Sequence, residues 1–203
     1  MPRSSSTAAP AAAGSPAASP RREHLLDVAQ RLFSCQGFHA VGIDAVLAEA
    51  GVAKMTLYKH FRSKNAMIAA VLERLAGASL RSLQARVEAE QEPRARVLAV
   101  FDWLEQWVSS SAFRGCLFLK AAGEFPDSED LPRQRAEAFK AGCGALLEQL
   151  CRALPLPGPE AAALARQLQL LLEGAIVLAD LQRQPGPAIS ARAAAATLLD
   201  AAL

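Results

Sequence analysis

The sequence predicts an all-α protein of about nine helices, with a small N-terminal domain and a larger C-terminal one. Hydrophobic residues make up 52% of the 203 residues, whereas aromatic residues make up only 5%, a composition typical of Ala/Leu-rich helices. Apolar residues recur three and four positions apart, in segments that proline and glycine separate. No segment alternates apolar and polar residues as a strand does, so we expect helices throughout.

Residues 1–20 are almost entirely alanine, serine and proline, which predicts a disordered tail. They contain no apolar run long enough for a signal peptide or a membrane span. We therefore expect a cytoplasmic protein with no membrane association. In that compartment the four cysteines, Cys35, Cys116, Cys143 and Cys151, should be reduced thiols and small core residues.

The first four predicted helices follow this tail in close succession. The first starts at Pro20, after a serine that can cap it, and Gly37 stops its pattern. Two short helices follow, at residues 43–50 and at about 54–61, and a longer one covers about 64–90. Because a glycine-containing turn joins the two short helices, they have helix-turn-helix geometry.

A helix-turn-helix places its second helix in the major groove of DNA, N-terminus first. Leu57 and Phe61 are spaced by four and should be its buried anchors. The other faces carry groups suited to base edges and phosphates, namely Lys54, Met55, Thr56, Tyr58, Lys59 and His60. Lys64 opens the next helix and can bind a phosphate together with that helix N-terminus. The alternative is a solvated basic face with a tyrosine in the core.

The distribution of charge weakly supports the DNA interpretation. Residues 1–64 hold eight lysines and arginines against four acidic residues, and residues 65–203 hold fourteen against sixteen. An excess of this size suggests a polyanion partner for the N-terminal part but does not establish one.

Residues 21–67 resemble the DNA-binding domain of the TetR family of transcriptional regulators. The matching motifs are Gly37-Phe38, Ala50-Gly51-Val52, Thr56-Leu57-Tyr58, His60-Phe61 and Ser63-Lys64. Three residues depart from the family pattern, because Val41 and Gly42 replace a usual Thr/Ser pair and Ala53 replaces a usual serine cap. Loss of a hydroxyl cap costs about 1 kcal/mol. At position 42 only a backbone N–H remains to contact a phosphate.

The remaining helices predict a second domain. Pro93 opens the fifth helix, and the sixth, a short and strongly apolar one, lies within residues 114–127. The last three cover about 131–154, 159–184 and 189–203. The eighth is apolar around most of its circumference, so more than one of its faces must be covered.

The resemblance implies that the last two helices form an intersubunit four-helix bundle, and we expect Leu172 near the centre of that interface. It also implies a DNA-binding domain at residues 21–66 and an effector-binding and dimerisation domain at residues 67–203.

A binding protein of this type needs an effector site. The candidate lining residues, from helices five to eight, are Phe101, Trp107, Phe118, Phe125, Phe139, Cys143, Leu171 and Glu173. For any one of them taken singly, ordinary core packing is the more common role. Glu124 and Glu173 could pair with a cationic or hydroxylated effector, or either could be a solvated surface carboxylate. Cys116 is better explained as a packed cysteine than as a redox sensor.

The resemblance implies a homodimeric, ligand-responsive regulator, a repressor that a small apolar effector releases from a palindromic double-stranded operator. The alternative is a helical carrier or enzyme for a small molecule, with a degenerate DNA-binding module. Histidine and cysteine spacings predict no metal site, and the sequence has no Gly-rich phosphate loop or nucleophile elbow. We therefore expect no catalysis and no cofactor.

Overall fold

The computed structural model describes residues 19–203, so residues 1–18 of the predicted tail lie outside the described part of the chain. These residues form nine α-helices and no strand, and the prediction of an all-α fold is confirmed. The helices are α1 (Pro20–Gln36), α2 (Ile43–Ala50), α3 (Lys54–His60), α4 (Lys64–Glu88), α5 (Pro93–Val108), α6 (Leu117–Glu124), α7 (Leu131–Arg152), α8 (Gly158–Gln182) and α9 (Gly186–Ala202).

Helices α1, α2 and α3 pack together around an apolar core against the start of α4. The turn between α2 and α3 depends on Gly51, whose φ of 63° places it in the left-handed region that favours glycine. The ring of His24 adds a long-range bond, because its Nε2 donates to the carbonyl oxygen of Ala50 at 3.1 Å. The turn that leads into α3 is therefore fixed by Gly51 and by the hydrogen bond from His24.

Helix α4 joins the two halves of the chain. Its 25 residues give a rod of about 37 Å at 1.5 Å per residue. The hydroxyl of Ser63 caps its first turn by accepting the N–H of Ala66 at 3.1 Å. The rod packs on α1 near one end and on α5 and α7 further along.

Helices α5, α7, α8 and α9 form the second half, with α6 lying against α7. An ionic cluster connects three elements of this region, since the carboxylate of Asp102 on α5 accepts from Arg86 on α4 and from Arg192 on α9. Of these helices, α5, α6, α7 and α8 contribute to the wall of a cavity that also reaches α1 and α4.

Helix α8 is the one helix within residues 19–203 that is long and apolar enough to cross a membrane. It contacts both α7 and α9, and an apolar core helix of a folded domain passes the same test of length and composition. Several of its apolar side chains, including Leu170 and Leu181, are nevertheless exposed.

Candidate nucleic-acid interface and ligand cavity

Helix α3 presents most of its length to solvent. Met55 and Tyr58 keep 80% and 44% of their surface exposed, unusually high values for such large apolar and aromatic side chains. Lys54 and Lys59 are exposed as well, whereas Thr56 and His60 are half-buried. The alternative of a core tyrosine is therefore wrong.

Two buried anchors fix the orientation of α3. Leu57 is fully buried and Phe61 is 3% exposed, as their spacing predicts. The guanidinium of Arg22 lies over the Phe61 ring, 5.4 Å from its centroid. Because the anchors occupy one face, Lys54, Met55, Tyr58 and Lys59 project toward solvent, and Thr56 and His60 lie at the edge of the buried face.

The basic groups around α3 are available to a polyanion. Lys54 lies 3.9 Å from the carboxylate of Asp44, a weak and exposed pair. Lys64 begins α4 half-buried, and its Nζ lies 3.4 Å from the carbonyl oxygen of His39. Gly42 is the exposed N-cap of α2 and offers no side chain there. Arg62, which the sequence analysis missed, is exposed between α3 and α4.

A cavity of about 220 Å³ opens between α1, α4, α5, α6, α7 and α8. Five of the eight predicted effector residues line it, namely Trp107, Phe118, Phe139, Cys143 and Glu173. The walls also include Trp103, Phe113, Leu75, Leu83, Lys140, Leu172 and Ile176, which the sequence analysis did not select.

Aromatic pairs form much of the cavity wall. The rings of Trp103 and Trp107 stack at 5.7 Å, and Phe113 meets Trp107 edge-on at 5.1 Å. Elsewhere in the wall Phe118 stacks on Phe139 with a centroid distance of 3.9 Å. Such walls suit a flat apolar molecule.

One ion pair lies in this wall. Lys140 Nζ donates to Glu173 Oε2 at 2.5 Å, and both side chains are mostly buried. The second oxygen, Glu173 Oε1, is buried and has no hydrogen-bond partner among residues 19–203. Nearby, burial raises the pKa of the Cys143 thiol to about 11, so this thiol stays protonated at neutral pH.

Three predicted effector residues lie elsewhere. Phe101 is fully buried in the core on another face of α5. Phe125 packs against the rings of Phe38 and His39 near the N-terminal helices. Leu171 lines an open groove between α8 and α9. The sequence shows that these residues are apolar, but helical periodicity does not predict which neighbouring helix each side chain faces.

Helix α6 connects the cavity to the N-terminal helices. Cys116, Leu117 and Phe118 line the cavity at its start, and Glu124 is its last residue. The Glu124 carboxylate accepts the backbone N–H groups of Phe38 at 3.0 Å and His39 at 2.6 Å. Glu124 is therefore a contact between the two halves, which neither of the two alternatives for this residue anticipated.

The same contact includes a glycine that cannot easily be replaced. Gly37 has a φ of 85°, and a Cβ at this position would lie 3.0 Å from Glu124 Oε1. The His39 ring completes the contact, because its Nε2 donates to the Glu124 carbonyl oxygen at 2.7 Å. A covalent rod, α4, and a hydrogen-bonded bridge, α6, thus connect the halves.

An exposed apolar face runs along α8 and the start of α9. Leu170 and Leu181 are each 74% exposed, Ile189 is 51% exposed, and Leu178 is 46% exposed. Leu172, expected at the centre of this face, is 4% exposed and lines the cavity instead. The expected position of Leu172 was therefore wrong. The exposed leucines on this face of α8 are Leu170 and Leu178 instead.

No group of three or more histidine, cysteine or acidic side chains within residues 19–203 has the arrangement of a metal site. The four cysteines are free thiols. Cys116, Cys143 and Cys151 are buried as expected, whereas Cys35 is exposed, so the expectation of a core position was wrong for Cys35.

Two family models match most of the chain. Residues 25–71 match the model described as bacterial regulatory proteins, tetR family. Residues 93–195 match a model described as tetracyclin repressor-like, C-terminal domain. The first covers the helix-turn-helix, and the second covers most of the region that encloses the cavity.

Curated relatives carry regulator names. The chain is 39% identical over 89 residues to the HTH-type transcriptional activator FasR of Mycolicibacterium smegmatis, covering 42% of this chain and 41% of that protein. It is 34% identical over 130 residues to the HTH-type transcriptional repressor NemR of Escherichia coli, covering 63% and 65%. The matches thus span less than two thirds of each relative.

Solved structures extend the likeness over nearly the whole chain. SCO4454, a TetR-family transcriptional regulator from Streptomyces coelicolor, has a TM-score of 0.85 at 28% identity, covering 91% of this chain and 90% of that one. The reduced form of Escherichia coli NemR has a TM-score of 0.77 at 30% identity, covering 87% and 95%.

Proposed function

The chain belongs to the TetR family of bacterial transcriptional regulators, and from this premise we propose that it is a homodimeric, ligand-responsive repressor of a palindromic operator. The family and the named relatives are regulators rather than enzymes. The observation that carries the proposal is the exposed α3, with Met55 and Tyr58 projecting from a helix whose opposite face is anchored. An exposed tyrosine and methionine on a basic helix are suited to base edges in a major groove.

We assign two roles to the DNA-binding residues. Lys54, Met55, Thr56 and Tyr58 read or line bases from the first turns of α3. Phosphates are contacted from its end and from the flanking elements by Gly42, Lys59, His60 and Lys64. The proposed DNA-binding domain is residues 21–66, and residues 67–203 bind effector and partner. A protein with this role works in the cytoplasm.

The repressor role draws support from how far each relative matches. The activator matches over 89 residues, whereas the repressor matches over 130 residues. A match of 130 residues is far longer than the proposed DNA-binding domain, so the likeness to the repressor also includes part of the region where an effector would act.

Dimerisation is supported by the apolar face on α8 and α9. Leucines that are 74% exposed are costly for a monomer in water, and burial against a second copy removes that cost. A two-fold dimer also places two recognition helices about 34 Å apart, which is one turn of duplex.

Induction would use α4 and α6 together. A ligand in the cavity contacts residues from both helices, so its binding can move them relative to α1. A fixed duplex cannot follow a change in the separation of the two α3 helices. An effective inducer should prefer the released shape by about 1 to 3 kcal/mol, and operator DNA should weaken effector binding by the same factor.

The test begins with the DNA upstream of the gene for this chain, because a footprint there identifies the operator. Affinity for that duplex should fall steeply with salt, as counterions are released from several phosphates. A transcription assay with this template should show less product when the protein is added. More product would contradict the repressor role, and a salt-independent affinity would contradict DNA binding.

A further inference from the structure

A second cavity of about 450 Å³ adjoins the aromatic cavity. The two share four wall residues, Ser34, Ser110, Phe113 and Arg114. Whereas aromatic and aliphatic side chains dominate the first cavity, the second contains three consecutive serines and several charged groups. A ligand could therefore keep an apolar body in the first and a polar end in the second.

The charges on the combined walls favour a negative polar end. They comprise four cations, Arg114, Lys120, Lys140 and Arg183, and two carboxylates, Glu173 and Asp180. Glu173 is paired with Lys140, which leaves the second cavity with three cations against Asp180. A cationic ligand would meet net repulsion there, and an anion would be attracted.

Two of these cations use neutral acceptors. Lys120 Nζ donates to the carbonyl oxygens of Ser34 at 3.0 Å and Arg114 at 2.7 Å. The Arg114 guanidinium donates to the carbonyl oxygens of Ser111 and Phe113. Neither side chain forms an ion pair with a carboxylate within residues 19–203. A ligand carboxylate would give them a stronger acceptor, because charge-assisted bonds are about twice as strong as neutral ones.

The size of the aromatic cavity limits the apolar body. An engineered cavity of about 150 Å³ in another protein binds benzene. The cavity here, about 220 Å³, is half as large again. A body of about ten carbon atoms, such as a fused pair of aromatic rings, would fit between the tryptophan and phenylalanine walls.

We propose that the effector is an organic acid with a flat aromatic body of this size, its acid group held by Arg114, Lys120 and Arg183. This inference rests on the proposed function, because it names the chemical class of the effector that the regulator would sense. It adds a specific consequence for release of DNA.

The consequence concerns the bond from Lys120 to Ser34. Ser34 lies in the last turn of α1, where carbonyl oxygens lack partners within their helix, and Lys120 on α6 supplies one. An acid group that draws Lys120 into the second cavity removes this contact. The ligand therefore weakens one of the bonds between α6 and the DNA-binding helices.

Calorimetric titration of the DNA-free protein tests the ligand class with two probes of nearly identical shape, 1-naphthaleneacetate and its neutral amide, 1-naphthaleneacetamide. We expect the acid to bind about tenfold more tightly than the amide. 1-Naphthyl phosphate, as a third probe, separates a carboxylate site from a phosphate site. Equal affinities for the acid and the amide would overturn the proposal.

Two variants locate the preference. Lys120→Met and Arg183→Gln should each reduce the ratio of acid to amide affinity at least threefold. Arg183 is exposed at the end of α8, so its substitution should not impair folding even if Lys120→Met does. Arg135→Gln, on an exposed face of α7 outside both cavities, is the matched control and should keep the ratio unchanged. A wild-type ratio in Arg183→Gln, or an equal loss in Arg135→Gln, would contradict the assignment.

Because the titration contains no DNA, the two proposals fail in different ways. Preferential binding of the acid without release of operator DNA would contradict induction and leave the ligand class standing. Operator binding with no preference for the acid would contradict the ligand class alone.

Discussion

The DNA-binding surface and the ligand cavity present their functional side chains in opposite ways. On α3, Met55 and Tyr58 are 80% and 44% exposed, and each is placed by one short helix and its two anchors. In the cavity, Phe118 and Phe139 are 3% and 9% exposed, and each wall comes from a different helix. A surface site therefore depends on local sequence, whereas a cavity depends on how distant segments pack.

The two sites are nevertheless linked through elements that belong to neither. Helix α4 joins them covalently, and α6 joins them through Glu124 and Lys120. Substitutions that affect one region and leave the other intact measure how independent the regions are.

The largest fall in operator affinity should come from a substitution on the exposed face of α8, outside both the DNA-binding surface and the cavity. Leu178→Glu places a charge on the exposed face of α8 in both copies of a dimer, where it would be buried and unpaired. We expect loss of the dimer and a fall in operator affinity of about 1000-fold, or about 4 kcal/mol. Sedimentation and operator titration are the measurements. Leu131→Glu, a control at a leucine that is 45% exposed on α7, should change neither, and an intact Leu178→Glu dimer would contradict the interface.

The buried thiol of the cavity region should make the protein less stable at alkaline pH. Burial raises the pKa of Cys143 from 9.0 to about 11 in the folded protein. The folded chain therefore keeps a proton that the unfolded chain releases, so stability that is complete below pH 9 is lost as pH rises to 11. The loss should be about 2 kcal/mol for this thiol.

Urea unfolding at pH 8 and pH 10.5 measures that loss in the wild type and in Cys143→Ala. The variant should lose less free energy of unfolding over the interval than the wild type does. A loss of equal size in both would show that the Cys143 thiol does not titrate as its burial requires.

The third prediction concerns the bridge between the regions. Gly37→Ala puts a side chain at a φ of 85° and within 3.0 Å of Glu124 Oε1. With a φ of 85° and a ψ of 171°, Gly37 lies in a backbone region almost confined to glycine. A residue with a Cβ there should lose about 1 to 3 kcal/mol of free energy of unfolding. In addition, the displaced carboxylate should loosen its bonds to Phe38 and His39.

Gly142→Ala is the matched control for this substitution. Gly142 lies within α7 with no atom within 4 Å of a new Cβ. Alanine there should raise stability by about 0.5 to 1 kcal/mol, because it favours the helix. If both variants behave alike, the Gly37 contact is not a constraint.

The sequence predicts helix bounds and the DNA-binding surface more completely than it predicts the cavity. The bounds of α2 and the start of α5 agree with expectation, because glycine flanks α2 at both ends and proline opens α5. Helix α9 begins at Gly186, three residues earlier than expected, since Pro187 is tolerated in a first turn. Leu57 and Phe61 were identified as anchors from their spacing alone.

The cavity was predicted less completely, for a physical reason. Trp103 and Trp107 are four residues apart and share a face of α5, so a prediction that Trp107 lines the cavity implies the same for Trp103. The prediction that Phe101 lines the cavity was wrong, because an apolar residue on α5 can equally well face the core. The Lys140–Glu173 pair joins α7 to α8 across 33 residues, and no local pattern predicts such a contact.

The smallest effects should come from single side chains of the DNA-binding surface, where two substitutions separate reading of bases from binding of phosphates. Lys64 begins α4 and has its Nζ near the His39 carbonyl oxygen, outside the face of α3 that reads bases. Lys64→Ala should weaken cognate and scrambled duplexes alike, by about 1 kcal/mol, and reduce the slope of log affinity against log salt by about one. Thr56→Ala should leave the salt slope unchanged and relax sequence preference at one position of each half-site, also by about 1 kcal/mol. Affinities for a set of operator variants at several salt concentrations measure both. If Thr56→Ala weakens every duplex equally, α3 does not read bases through Thr56, and the division of roles on this surface must be redrawn.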